Sequence, residues 1–141
     1  LGSKKQESKK ILNFTPDQIK EYLDKFRKCI LEGRYSISRN NNRQENIEFI
    51  EDYKINTKKE QEILIGLQFD DFCYAVENDN PDYPNEVLYI FCKQRELDFW
   101  GTLETVEIYI KINMINTRSG DLFSVVVSFH KRNYKIKYLF K

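Results

Sequence analysis

Residues 104–114 read ETVEIYIKINM. Val106, Ile108, Ile110, Ile112 and Met114 alternate strictly with Glu107, Tyr109, Lys111 and Asn113, which is the period of a β-strand with one apolar and one polar face. A turn-forming stretch, INTRSGD, follows, and then FSVVVSFH at 123–130. Read as the return strand of a hairpin around Asn116 to Gly120, it places Phe123, Val125, Val127 and Phe129 in the core. Ser124, Val126, Ser128 and His130 then take the other face. Paired strands share their faces, so Tyr109, Lys111 and His130 are expected on one surface of a sheet. His130 is the one histidine in the chain, and it stands at the end of its strand.

Upstream of this hairpin the pattern changes from sheet to helix. FTPDQIKEYLDKFRKCILEG offers Thr15 as N-cap and Pro16 at the first helical position, and it ends on Gly33. Ile19, Tyr22, Leu23, Phe26 and Ile30 fall on one helical face. YSISRNNNRQ reads as a short extended piece plus a loop, and NIEFIEDYKI as a second, short helix. TKKEQEILIGL and FDDFCYAVEN are also expected to be helical, divided near Gly66, with Asp70 or Asp71 in the first turn of the latter. NDNPDYPNE is rich in turn formers, and EVLYIF opens the strands. NYKIKYLFK is expected to add a last strand. The fold class is therefore α+β, with N-terminal helices packed on a small C-terminal antiparallel sheet of three to four strands.

The 141 residues, 40% hydrophobic and 14% aromatic, suffice for one ordinary core and leave little for a second. The opening LGS reads as a cloning remnant, and KKQESKK has no apolar periodicity, so 1–10 is expected to be a disordered lead-in and 11–141 a single domain. No apolar run approaches the ~18 residues of a membrane-spanning helix, and no signal-peptide succession is present. Cys29, Cys73 and Cys92 are odd in number and form no CxxC, and one histidine cannot complete a zinc set with them. Reduced thiols in a cytoplasmic protein, without metal or cofactor, are the expectation. The five glycines form neither GxGxxG nor GxxxxGK[ST], which argues against nucleotide-dependent enzymes.

The net charge of +1 hides a division along the chain. Ten acids, from Asp70 to Glu107, face only Lys93 and Arg95, whereas HKRNYKIKYLFK carries Lys131, Arg132, Lys135, Lys137 and Lys141 and no acid. A basic segment beside a histidine suits a polyanion, although lysines on an exposed edge strand also serve to block aggregation. Tyrosine, lysine and histidine on one sheet face meet the needs of RNA cleavage without metal. One group removes the 2′-OH proton, one protonates the leaving 5′-oxygen, and a cation offsets charge on the phosphorane-like transition state. Phe99 and Trp100 in LDFWGT are candidates to stack on bases, or else to pack on the core.

The order of these pieces resembles the MqsR family, the motility quorum-sensing regulator toxins of bacterial toxin–antitoxin systems. The matching pieces are Gly33 with GRYSISR, Leu64 to Leu67 with Phe72, Glu107 to Ile112 as EIYIKI, and Val127 to His130 as VSFH. The resemblance spans 15–131 and implies a compact α+β fold related to RelE-like and colicin-like ribonuclease toxins. It further implies metal-independent endoribonuclease cleavage of messenger RNA, growth inhibition, and neutralisation by a cognate antitoxin. The family's sheet tyrosine falls on Tyr109 and its following lysine on Lys111, while its lysine after VSF is replaced by His130. Imidazole, with a pKa near 6.5, can act as acid or base near neutrality. The family's lysine after Phe-Tyr falls on Tyr74, and its glutamine in the preceding strand falls near Tyr89. Tyr74 and Tyr89 are thus expected at the RNA, with Lys131, Arg132, Lys135 and Lys137 on its backbone.

Two other readings stay open. Ribonuclease domains of this kind also end large secreted antibacterial toxins, where an immunity protein replaces the antitoxin. Alternatively, the chain is a non-enzymatic immunity or antitoxin module whose acidic Asp70–Glu107 segment covers a basic toxin.

Overall fold

The structure, a computed structural model, describes residues 9–141. The lead-in expected over 1–10 therefore lies mostly outside the described residues. The first helix, α1 (Pro16–Leu31), starts as its sequence dictates. Thr15 Oγ1 accepts from the Gln18 N–H and Gln18 Oε1 accepts from the Thr15 N–H, which closes a capping box. It ends before Gly33, whose φ of +71° is one that glycine adopts without strain. Ile19, Leu23, Phe26, Cys29 and Ile30 are its buried stripe.

A short strand, β1 (Tyr35–Ile37), and a 3-10 turn at Asn41–Arg43 lead into α2 (Gln44–Asp52) and then α3 (Thr57–Ile65). Four longer strands follow: β2 (Phe72–Glu77), β3 (Val87–Phe99), β4 (Thr102–Asn116) and β5 (Leu122–Lys131). They form one sheet in the order β1-β5-β4-β3-β2, in which β1 runs parallel to β5 and all other pairs are antiparallel. The α+β class is as expected, but the sheet is mixed and five-stranded rather than an antiparallel one of three to four strands. The extra strands come from both ends of the helical region. FDDFCYAVEN is a 3-10 turn, at Phe69–Asp71, followed by β2, not a helix. The Asp71 carboxylate accepts from the Gln68 N–H at 2.8 Å and closes that turn, and the apolar run behind it pairs with β3. A short apolar run suits strand or buried helix equally by periodicity, and pairing decides it.

The helices cover one face of the sheet, where Phe72, Phe91, Ile108, Ile110, Ile112, Val126 and Phe129 join the α1 stripe in the main core. On the other face a smaller cluster forms from Cys73, Val76, Leu88, Ile90 and Cys92, with Ile136 and Tyr138 packed against it. Residues 133–141, expected as a strand, join no strand of the sheet. They cross this second face as irregular chain, and the Leu139 N–H donates to the Phe72 carbonyl at 3.0 Å. Phe140 stacks near Phe72, and Lys141 Nζ stands 3.8 Å from Asp71. Ile136 and Tyr138 pack on the second-face cluster and Phe140 on the main core, so side-chain burial rather than strand pairing holds this segment.

One irregularity in β5 positions the site. Ile112 pairs with Val126 and Lys111 with Ser128, so Val127 is an extra residue and a β-bulge. Before the bulge Ser124 and Val126 face the helices. After it Phe129 does, and His130 turns to the second face. The expected core set of Phe123, Val125, Val127 and Phe129 is thus right only for Phe129, because strict alternation fails at Val127. Asn46 of α2, fully buried, fills the break: its Nδ2 donates to Ser38 O (2.9 Å) and Val127 O (3.0 Å), and its Oδ1 accepts from the Phe129 N–H (2.8 Å). No helix among the described residues is long and apolar enough to cross a membrane.

Candidate functional site

The register brings the three sequence candidates together. Tyr109 pairs directly with His130, and Lys111 lies two residues further along β4, opposite Ser128. The Tyr109 and His130 rings stack with centroids 5.5 Å apart and planes 22° from parallel. They line a cleft of about 530 Å³ on the second face of the sheet. Its floor is Val76 and Ile90, and the irregular segment 133–136 forms one wall.

Only 13% of the His130 side chain is exposed, and its Nδ1 lies 2.7 Å from the Lys131 carbonyl. A carbonyl only accepts, so Nδ1 is the donor of that hydrogen bond, and in the neutral form of the ring Nε2 is the nitrogen that carries the lone pair. Glu45 Oε2 lies 3.8 Å from Nδ1 and accepts from Asn133 Nδ2 at 2.9 Å, which leaves a carboxylate beside any imidazolium that forms. Burial, followed by the neighbouring Tyr74 phenol and a hydrogen bond with it, pushes Tyr109 well above the usual tyrosine range, so it is a proton donor at all working pH values. Burial, and then the Arg43 guanidinium, lower the Lys111 pKa, against a smaller opposing pull from Asp79. Arg43 is thus within Coulombic reach of both Tyr109 and Lys111.

The remaining candidates separate. Tyr74 is in the cleft, with the Lys10 ammonium 4.6 Å above its ring, and Lys135 lines the rim. Tyr89 is on the opposite face. It stacks on Tyr22 at 3.8 Å in a separate cleft of about 630 Å³ against α1, so it does not meet the His130 group. Lys131 also points to the helix side, its ammonium 5.3 Å over the Tyr53 ring and 4.0 Å from Glu104. Arg132 is held by Glu107 at 2.6 Å. Lys137 is exposed and does not line the cleft. The basic rim therefore consists of Lys10, Lys111 and Lys135, with Arg43 within Coulombic reach, and Lys135 is the one member it takes from the run at 131–137.

Arg43, Glu45, Lys10 and Asn133 were not marked by the sequence. The first two come from a polar loop and a helix start more than 80 positions before His130, and only the docking of α2 on β5 joins them. Cys73 is no nucleophile, since burial pushes its thiol up to about 12. Trp100, 68% exposed at the tip of the β3–β4 hairpin, packs under the Lys54 ammonium rather than on the core. Four of the ten acids of the Asp70–Glu107 segment have side-chain partners within the chain. Asp71 meets Lys93, Glu86 accepts from Asn78 and Asn113, Glu104 from Tyr53, and Glu107 meets Arg132.

No family model, curated protein or solved structure matches the chain significantly.

Proposed function

We propose that this protein is a metal-independent endoribonuclease of the MqsR-like, RelE-related toxin type, cleaving single-stranded RNA. The observation that carries the reading is the Tyr109–His130 register pair with Lys111 beside it, in a cleft with a cationic rim. His130 Nε2 takes the proton from the ribose 2′-OH as that oxygen attacks phosphorus. The P–O5′ bond breaks, and the Tyr109 phenol donates to the leaving oxygen, which as an alkoxide is the stronger base. Lys111 and Arg43 offset the extra negative charge of the transition state in a part-buried site, where each charge interaction is stronger than in water. The products are a 2′,3′-cyclic phosphate and a 5′-hydroxyl.

Such an enzyme acts on cytoplasmic RNA and requires a cognate antitoxin or immunity protein in the cell that makes it, whether it serves a toxin–antitoxin system or a secreted antibacterial effector. The test is incubation of the protein with a defined RNA in EDTA, followed by mapping of the ends. Cleavage that persists with 2′,3′-cyclic phosphate ends supports the reading, and strict dependence on a divalent ion removes it.

A further inference from the structure

The cleft holds two chemistries side by side. At one end are the imidazole, the phenol and the cations. At the other are Val76 and Ile90, both nearly inaccessible, with Ile136 of the C-terminal segment packed against them and the rings of Tyr74 and Tyr134 alongside. A surface that only grips phosphates does not need an apolar floor. Tyr134 is 83% exposed, the most exposed large hydrophobic side chain among the described residues, yet its backbone is fixed by the Arg132 guanidinium, which donates to the Tyr134 carbonyl at 2.9 Å while it is itself held by Glu107. An exposed flat ring on an anchored backbone, lining a cleft that also presents cations, is what a base-stacking platform requires. The segment also passes Lys135 along the rim, where a neighbouring phosphate of the same strand would lie.

We propose that the Tyr134 ring forms a nucleobase subsite at the edge of the cleft, which takes one unpaired base next to the scissile phosphate and admits RNA only where that base is free of a duplex. This rests on the ribonuclease reading of the His130 cleft and adds to it a substrate-binding residue outside the reacting group. A stack is made equally in the ground and transition states, so its loss appears in KM and not in kcat.

The experiment uses the full chain and a set of single-stranded RNAs, each with one base replaced by an abasic unit. In the parent, one abasic position next to the cleavage point should raise KM about tenfold, the usual scale of one base–aromatic stack. Tyr134→Ala should raise KM on intact RNA by about the same factor with kcat within about twofold, should become insensitive to that abasic position, and should unfold like the parent. Tyr134→Trp should restore the parent's KM. If the parent cleaves RNA while Tyr134→Ala keeps its KM and its abasic profile, or loses kcat instead, the subsite is overturned and the ribonuclease reading stands. If the parent cleaves no RNA, the underlying reading falls first and takes the subsite with it.

Discussion

Asn46→Ala removes one small polar side chain and should cost about 4 to 6 kcal/mol. Three hydrogen bonds disappear, two from Nδ2 to the Ser38 and Val127 carbonyls and one from the Phe129 N–H to Oδ1. Each is worth about 1 kcal/mol net, and a buried donor left without a partner adds about 1–3 kcal/mol. For a domain of this size a loss of that order lowers the melting temperature by roughly 10 °C or more. The site should suffer as well. The bulge at Val127 is what turns His130 onto the Tyr109 face, and Asn46 is the side chain that satisfies it. Cleavage should therefore fall even below the new melting point. Asn46→Asp sharpens the test, because its second oxygen would face two carbonyls with no proton to share. Its pKa in the folded state is raised, so any stability it supplies is present below the unfolded value near 4 and is lost as pH rises. Asn46→Asp should accordingly lie closer to the parent at pH 4 than at pH 8. Urea titration with a spectroscopic readout measures both variants, and an Asn46→Ala within about 0.5 kcal/mol of the parent would refute this role of the bulge.

Ser124 is fully buried and its hydroxyl finds no partner among the described residues, so Ser124→Ala should be neutral or stabilising by up to about 1 kcal/mol in the same titration. Lys111 has a lowered pKa chiefly from burial, so between that value and the unfolded one near 10.4 the unfolded chain holds more protons and stability rises with pH. Lys111→Met should flatten that rise and stabilise the fold at neutral pH while reducing cleavage about 10²-fold or more, and a variant that loses stability instead contradicts the assignment of Lys111 as a strained, functional cation. Binding of single-stranded RNA should weaken with salt. Lys10→Ala or Lys135→Ala should each reduce the log–log slope by about 0.7, whereas Lys131→Ala, whose partners are Tyr53 and Glu104, should leave it unchanged.

The alternation in ETVEIYIKINM was sufficient to place Tyr109 and Lys111, because a strand buried on one face encodes its register in a period of two. The same logic misassigned half of β5, since the bulge at Val127 is held by Asn46, a contact across 81 positions that no local pattern announces. His130 nevertheless came out on the correct face: the expected phase was wrong only before the bulge. β2 looked helical because FCYAVE is short and mostly apolar, and only its pairing with β3 distinguishes the two. The basic run from His130 onward looked like one surface, yet Lys131 and Arg132 lie on opposite sides of the sheet and each meets its own glutamate. Lys10 reaches the cleft, Glu45 the His130 ring and Arg43 the field around Tyr109 and Lys111 from polar stretches with no periodicity, so their roles exist only in the folded chain.

The most direct test of the proposed chemistry is the rate of RNA cleavage by His130→Ala in EDTA, measured beside His130→Lys and the parent over pH 5 to 9. His130→Ala should lose about 10²-fold or more with its unfolding midpoint nearly unchanged, since the ring lies at a strand end outside the main core. His130→Lys should keep part of the rate with the acidic limb, which deprotonation of the general base sets, shifted upward in pH. Cleavage by His130→Ala at the parent's rate would leave the sheet as described and take the imidazole out of the reaction.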